Sequence, residues 1–207
     1  MRVRTPLTLL ALLLVLAAGL QAKKKDNWVE LRSSHFHIVT NAKPKKAEQV
    51  AHQLEEFRHL LGLFFPFLQL DPPAPARVLL FKNKKSFRPY QPLTPEGKPD
   101  KASGFMQPGR ERMFLAVDLG TRHATQTAYH EYIHLLLRLN FADLPVWLNE
   151  GMAEFYEHTE IDGKDFKLGD WSPGWWRVLR QRGLLPVEAM ANADHRSSYY
   201  NVPKRRQ

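Results

Sequence analysis

Two neighbouring helical stretches, each with metal-ligand side chains one turn apart, constrain this chain more than any other feature. In the first, over about residues 121–140, stands His130-Glu131-Tyr132-Ile133-His134. Residues four apart share a helix face, so both imidazoles can reach one ion, while Glu131 sits close to a water on that ion without being a ligand. In the second, Trp147-Leu148-Asn149-Glu150-Gly151-Met152-Ala153-Glu154 places two carboxylates one turn apart. That helix is expected to start near Asp143, as N-cap with Pro145 in its first turn, and to run to about His158. The short connection over 139–144 returns it antiparallel, so the two faces can meet. The bland alternative is two histidines on an ordinary helix, and it does not explain the carboxylates in register.

Composition narrows the chemistry. The 207 residues include nine His and no Cys, which removes disulfides, thiol nucleophiles, Fe–S clusters and Cys-ligated zinc. A metal site must be built from His and carboxylates, and the commonest such set for catalytic zinc is His, His, Glu with one open position. The expected centre is one Zn2+ held by His130, His134 and Glu150. Zinc lowers the pKa of its bound water to about 7, and Glu131 then takes the proton as general base. Glu154 is expected to accept the free ring N–H of a ligand histidine and so fix its tautomer.

The rest of the chain reads as one domain with appendages. Arg2 and Arg4 precede an apolar run from Leu7 to Leu20 that closes on Ala22, the order of a signal peptide. That run is short for a membrane span, and an uncleaved anchor is the alternative. Residues 1–22 are therefore the expected export segment, 23–190 the domain, and 191–207 a polar, disordered tail. Export without cysteines points to a bacterial periplasmic, envelope or extracellular location. Strands are expected at 28–30, 36–40 and 77–81, with a hairpin of 103–107 and 113–117. A helix is expected from Pro44 to about Phe65, another over 173–182, and short strands around Gly163. The element order indicates α+β, with a small mixed or antiparallel sheet. The 30 Lys and Arg outnumber the 21 Asp and Glu, for a formal charge of +9. These cations lie in short scattered runs with no interleaved stacking aromatics, so no nucleic-acid partner is expected.

His130-Glu-Tyr-Ile-His134 followed by Leu144-Pro-Val-Trp-Leu-Asn-Glu-Gly-Met-Ala-Glu154 resembles the gluzincin zinc metallopeptidases, and within them the peptidase-MA-like group of exported bacterial proteins. The likeness covers about residues 28–170, and its specific part is 130–134 with 147–154. It implies a zincin-like fold, His130, His134 and Glu150 as ligands, and Glu131 as base. It further implies a substrate peptide bound along an edge strand, for which Met113–Val117 is the candidate. The aminopeptidase motif that binds a free N-terminus is absent; Gly104-Phe105-Met106-Gln107 is only a faint echo of it. Relatives take the cleft's second wall and an oxyanion-binding side chain from the region after the Glu helix, which is short here. Tyr156, His195, Tyr199 and Tyr200 are the nearest oxyanion candidates, and none stands out. His123 and His158 read as structural or exposed.

The expectation is an exported zinc metallopeptidase acting on peptide or protein substrates. Two alternatives compete with it: a zinc-binding envelope or scaffold protein of peptidase-like fold with little or no turnover, and a basic nucleic-acid-binding protein that only the charge supports. Membrane contact is expected only through an uncleaved N-terminal segment. Substrate and oligomeric state are not legible in the sequence.

Overall fold

Three runs that are apolar on both faces suit the middle of a sheet rather than its edges. In the computed structural model, which describes residues 26–94, 96–109, 112–169, 173–194 and 197, they occupy that place. The expected export segment 1–22 and most of the expected tail lie outside the described residues. Strands β2 (Phe36–Thr40), β3 (Ala76–Phe81) and β5 (Met113–Asp118) pair in parallel, β2 with β3 and β3 with β5. Antiparallel strands β1 (Val29–Arg32) and β4 (Gly104–Pro108) close the two edges, in the order β1-β2-β3-β5-β4.

Helix α1 (Pro44–Phe64) joins β2 to its parallel neighbour β3. The chain is thus a mixed α and β structure with six α-helices among the described residues, and its sheet centre is parallel. A short helix α2 (Lys84–Phe87) leads to a 3-10 turn and a long loop before β4. Then come α3 (Ala124–Asn140), α4 (Val146–Glu157), a ribbon of β6 (Glu160–Asp162) with β7 (Asp165–Lys167), α5 (Pro173–Arg182) and α6 (Val187–Ala191). The last helix has no counterpart in the sequence reading.

Register sorts side chains between the two faces. Ile38, Val78, Leu115 and Met106 are successive cross-strand partners, and they join the core against α1 and α3. One residue out of phase, Leu79, Ala116 and Phe105 face the other way and pack with Phe81 and Phe87. Helix α1 buries Val50, Leu54, Phe57 and Leu61, spaced by three and four residues. The Phe57 ring stacks on Tyr129 of α3 at 4.0 Å between centroids, and Tyr132 meets Phe36 edge-on at 5.4 Å. Each such buried side chain contributes about 1.5–3 kcal/mol.

Two boundaries differ from expectation. Helix α4 begins at Val146, and Asp143 does not cap it; Pro145 holds the N-cap position at φ −55°, ψ 139°. Its carbonyl accepts from the N–H groups of Leu148 and Asn149, both at 3.0 Å, so the backbone carbonyl starts the helix without a side-chain cap. The second difference is at the sheet edge: β5 is interior, and β4 is the edge strand on that side.

The turn before β2 is clamped to α1 by Glu55, which accepts from the His35 N–H at 2.8 Å and bonds the His35 ring at 2.6 Å. Burial opposes the Glu55 charge, but hydrogen bonds from Ser33 and His35 outweigh it and hold its pKa below the ordinary carboxylate value. A carboxylate whose folded pKa is depressed stabilises the fold above its unfolded value, and that stability is lost as pH falls through the folded pKa. Glu55→Gln is therefore expected to cost about 1 kcal/mol at pH 7. In urea titrations the gap from wild type should narrow as pH drops below the ordinary value of 4.5. A gap independent of pH contradicts this assignment.

Candidate metal centre

Helix α3 divides its surface between core and site. Tyr129, Tyr132, Ile133 and Leu136 are buried in the core, which leaves His130 and His134 turned toward α4. The His130 and His134 Nε2 atoms lie 3.0 Å apart. Oε2 of Glu150, on α4, is 3.8 Å from the first and 3.7 Å from the second. His130, His134 and Glu150 are the one group among the described residues whose ligand atoms converge in this way. A point equidistant from the three atoms lies about 2 Å from each, which matches Zn–N and Zn–O lengths of about 2.0–2.2 Å. Two imidazoles and a carboxylate, with no thiolate, suit zinc and leave room for a further ligand.

The outer ring nitrogens support the same assignment. His130 Nδ1 lies 2.9 Å from Glu157 Oε2, and His134 Nδ1 lies 3.2 Å from Asn149 Oδ1. Both partners offer an acceptor oxygen, which in the neutral rings favours the proton on Nδ1 and turns the two Nε2 atoms toward each other and Glu150. His158 adds its Nε2 at 3.4 Å from the other Glu157 oxygen.

The carboxylate beside the His130 ring is thus Glu157, where the sequence pointed to Glu154. Helical phase explains the exchange. Residue 154 is rotated about 40° from Glu150, whereas residue 157, two turns on, is offset by only about 20°. The antiparallel run also matters: His134, late in α3, meets Asn149 early in α4, and His130, one turn earlier, meets the later Glu157. Glu154 is half-buried and makes no hydrogen bond among the described residues. Burial, followed by repulsion from Glu157, raises its pKa.

Charge in the pocket is shared unevenly. Burial pushes the Glu131 carboxyl up to about 7; His130 and a hydrogen bond from the Met106 backbone N–H oppose that rise, and Glu150 adds to it. Burial also disfavours the His130 cation, but Glu157, Glu131 and Glu150 outweigh it and raise the pKa. In His134 burial prevails over the attraction of Glu150, and the pKa is lowered.

Gly104 sets how closely α3 approaches the edge strand. A Cβ there would lie 2.5 Å from Thr127 Cγ2 and 3.2 Å from Glu131 Cγ, closer than a side chain tolerates. Sequence reasoning noted Gly104 only as a faint echo of another motif, and assigned no role to Glu157 or Asn149.

The backbone phase of β4 is fixed at both ends. Asp118 N–H donates to Ser103 C=O at 2.8 Å, and Gly109 N–H donates to Arg112 C=O at 2.9 Å. Odd-numbered residues of β4 thus bond to β5, while the peptide groups of Gly104 and Met106 face the open edge. Pro108, which has no N–H, falls in the same outward phase, as an edge strand permits. The cavity at this edge, about 320 Å³, is bounded by His130, Glu131, His134 and Glu150 on one side. Gln91, Pro92, Asp100 and Ala102 of the loop before β4 also line it. Met113–Val117, the expected substrate strand, cannot serve, because both of its edges are already paired. Tyr156 packs its ring against Phe65 at 5.9 Å, in the core. His195, Tyr199 and Tyr200 lie outside the described residues.

Outer partners of ligand histidines are commonly worth 10- to 100-fold in metal affinity. Glu157→Gln is expected to weaken zinc binding by about 10-fold or more in competition with a chromogenic chelator, and Glu154→Gln by less than about 3-fold. The reverse order would return the role to Glu154.

Models of known protein families give no match to this sequence, and neither do the curated proteins.

Proposed function

We propose that the chain is a zinc-dependent hydrolase of peptide bonds, of gluzincin type and with a zincin-like fold. The observation that carries this reading is the convergence of His130, His134 and Glu150 beside a buried Glu131 at an open sheet edge. His130, His134 and Glu150 would hold the ion, with Glu157 and Asn149 orienting the two rings. Zinc supplies a Lewis acid that acidifies water and polarises a carbonyl oxygen.

The remaining work belongs to this chain's own groups. Glu131 lies in the same cavity as the three ligands without being one of them. Its carboxylate is placed to accept a proton from the attacking water and to pass it to the departing amine. Burial in the same cavity keeps Glu131 out of bulk solvent and close to the water that the three ligand groups would hold. With the Met106 N–H held by Glu131, the outward Gly104 N–H and C=O and the Met106 C=O offer a substrate backbone an added-strand register, which lays an extended peptide beside the two histidines. Gln91, Pro92, Asp100 and Ala102 line the same cavity. An exported destination rests on the N-terminal segment of the sequence alone.

The test is a digest of a diverse peptide library with and without chelator, run beside two variants. Wild type should cleave and lose activity to chelator. Glu131→Gln is expected to keep about one equivalent of zinc while losing hydrolysis by about 100-fold or more. His134→Ala should lose the metal itself in elemental analysis. Undiminished cleavage by Glu131→Gln contradicts the mechanism. Stoichiometric zinc with no cleavage by wild type favours a zinc-holding scaffold.

A further inference from the structure

We propose that the edge cavity selects a substrate residue with a cationic side chain, lysine or arginine, and that Asp100 is the group that reads it. The proposal rests on the peptide-binding reading of this same site and adds the substrate class to it.

A strand added to β4 alternates its side chains between the two faces of the sheet. Residues opposite Gly104 and Met106 turn toward α3 and the histidines. The residue opposite Phe105 turns to the other face, where Phe105 stacks against Phe87 at 5.9 Å between ring centroids. Phe105 lines the cavity together with Phe87, Pro92 and Asp100. Half-buried Phe105 and exposed Pro92 give this lining an apolar surface beside one carboxylate, which suits a long aliphatic stem ending in a cation, because the stem lies on that surface while the charge stays at the rim.

The loop carrying Asp100 is tied in place. Buried Gln91 donates its side-chain amide to Ala102 C=O at 2.9 Å, and the Asp100 N–H donates to Pro92 C=O at 2.9 Å. Asp100 Oδ1 accepts from the Ala102 N–H at 3.0 Å, which fixes the carboxylate and leaves Oδ2 to meet a ligand. The described cavity lining contains Asp100, Glu131 and Glu150 but no Lys or Arg. A divalent ion at the histidines would offset Glu131 and Glu150, leaving Asp100 as the remaining acidic group of that lining.

The sign of this preference runs against the molecule as a whole. A chain of net charge +9 attracts acidic peptides at long range, so selection of a cation must come from local groups.

The experiment separates binding from turnover. Full-length Glu131→Gln, loaded with one equivalent of zinc, is titrated into fluorescein-labelled nonapeptides of Ala, Gly and Ser. Each peptide carries a single central Lys, Arg, Ala or Glu, and binding is read by anisotropy. Lys and Arg peptides are expected to bind about 10-fold more tightly than the Glu peptide. Adding Asp100→Asn should erase that preference, and Asp100→Lys should reverse it. Equal affinity for all four peptides, undetectable binding, preference for Glu, or a preference that survives Asp100→Asn overturns the proposal. Wild type that cleaves no peptide while the Lys and Arg preference holds removes the hydrolase reading and leaves the cation site standing.

Discussion

The stacking of Tyr129 on Phe57, with Tyr132 wedged beside Phe36, is the contact on which the rest of the site depends. It fixes the rotation of α3 about its own axis. With Tyr129, Tyr132, Ile133 and Leu136 turned into the core, His130 and His134 have one direction left, toward α4. The buried stripe and the ligand stripe are the same periodicity seen from opposite sides of one helix. Loss of the aromatic contact would therefore disturb the ligands without touching them.

Orientation alone does not make a ligand set, because a neutral imidazole can carry its proton on either nitrogen. Glu157 and Asn149 settle this by placing acceptors behind both rings. Burial near these acids is tolerable because attraction and repulsion are distributed: the His130 cation is favoured, and the Glu131 anion is disfavoured. Gly104 adds a steric condition, since a methyl group there would press on Glu131 and Thr127 and push α3 off the edge strand. His130, His134, Glu131 and the edge strand β4 thus share one packing problem, which α3 solves with different faces.

The parts of this arrangement that depend on local period were legible in the sequence. His130 and His134 at one-turn spacing, Glu150 on the next helix, and the strands at 36–40 and 77–81 all follow from alternation or helical repeat. The parts that depend on relative placement were not. Choosing Glu157 over Glu154 requires the direction and offset of α4 against α3, a matter of a few ångströms along two axes. Placing β4 rather than β5 at the edge requires knowing that β3 pairs with β5, a long-range choice with no local signal in either strand. Asp100 gives no hint in its own neighbourhood, because its place in the cavity is set by the Gln91–Ala102 tie across the loop. The Asp143 cap failed for a local reason: Pro145 offers its own carbonyl two residues later.

The central claim is that two imidazoles and one carboxylate of this chain form a single zinc centre. Zinc K-edge X-ray absorption on the protein loaded with one equivalent tests it most directly. About two imidazole nitrogens and oxygen-donor neighbours are expected at about 2.0–2.2 Å, and His134→Ala should retain too little zinc to give that spectrum. A spectrum with no imidazole scattering, or one unchanged by His134→Ala, contradicts it.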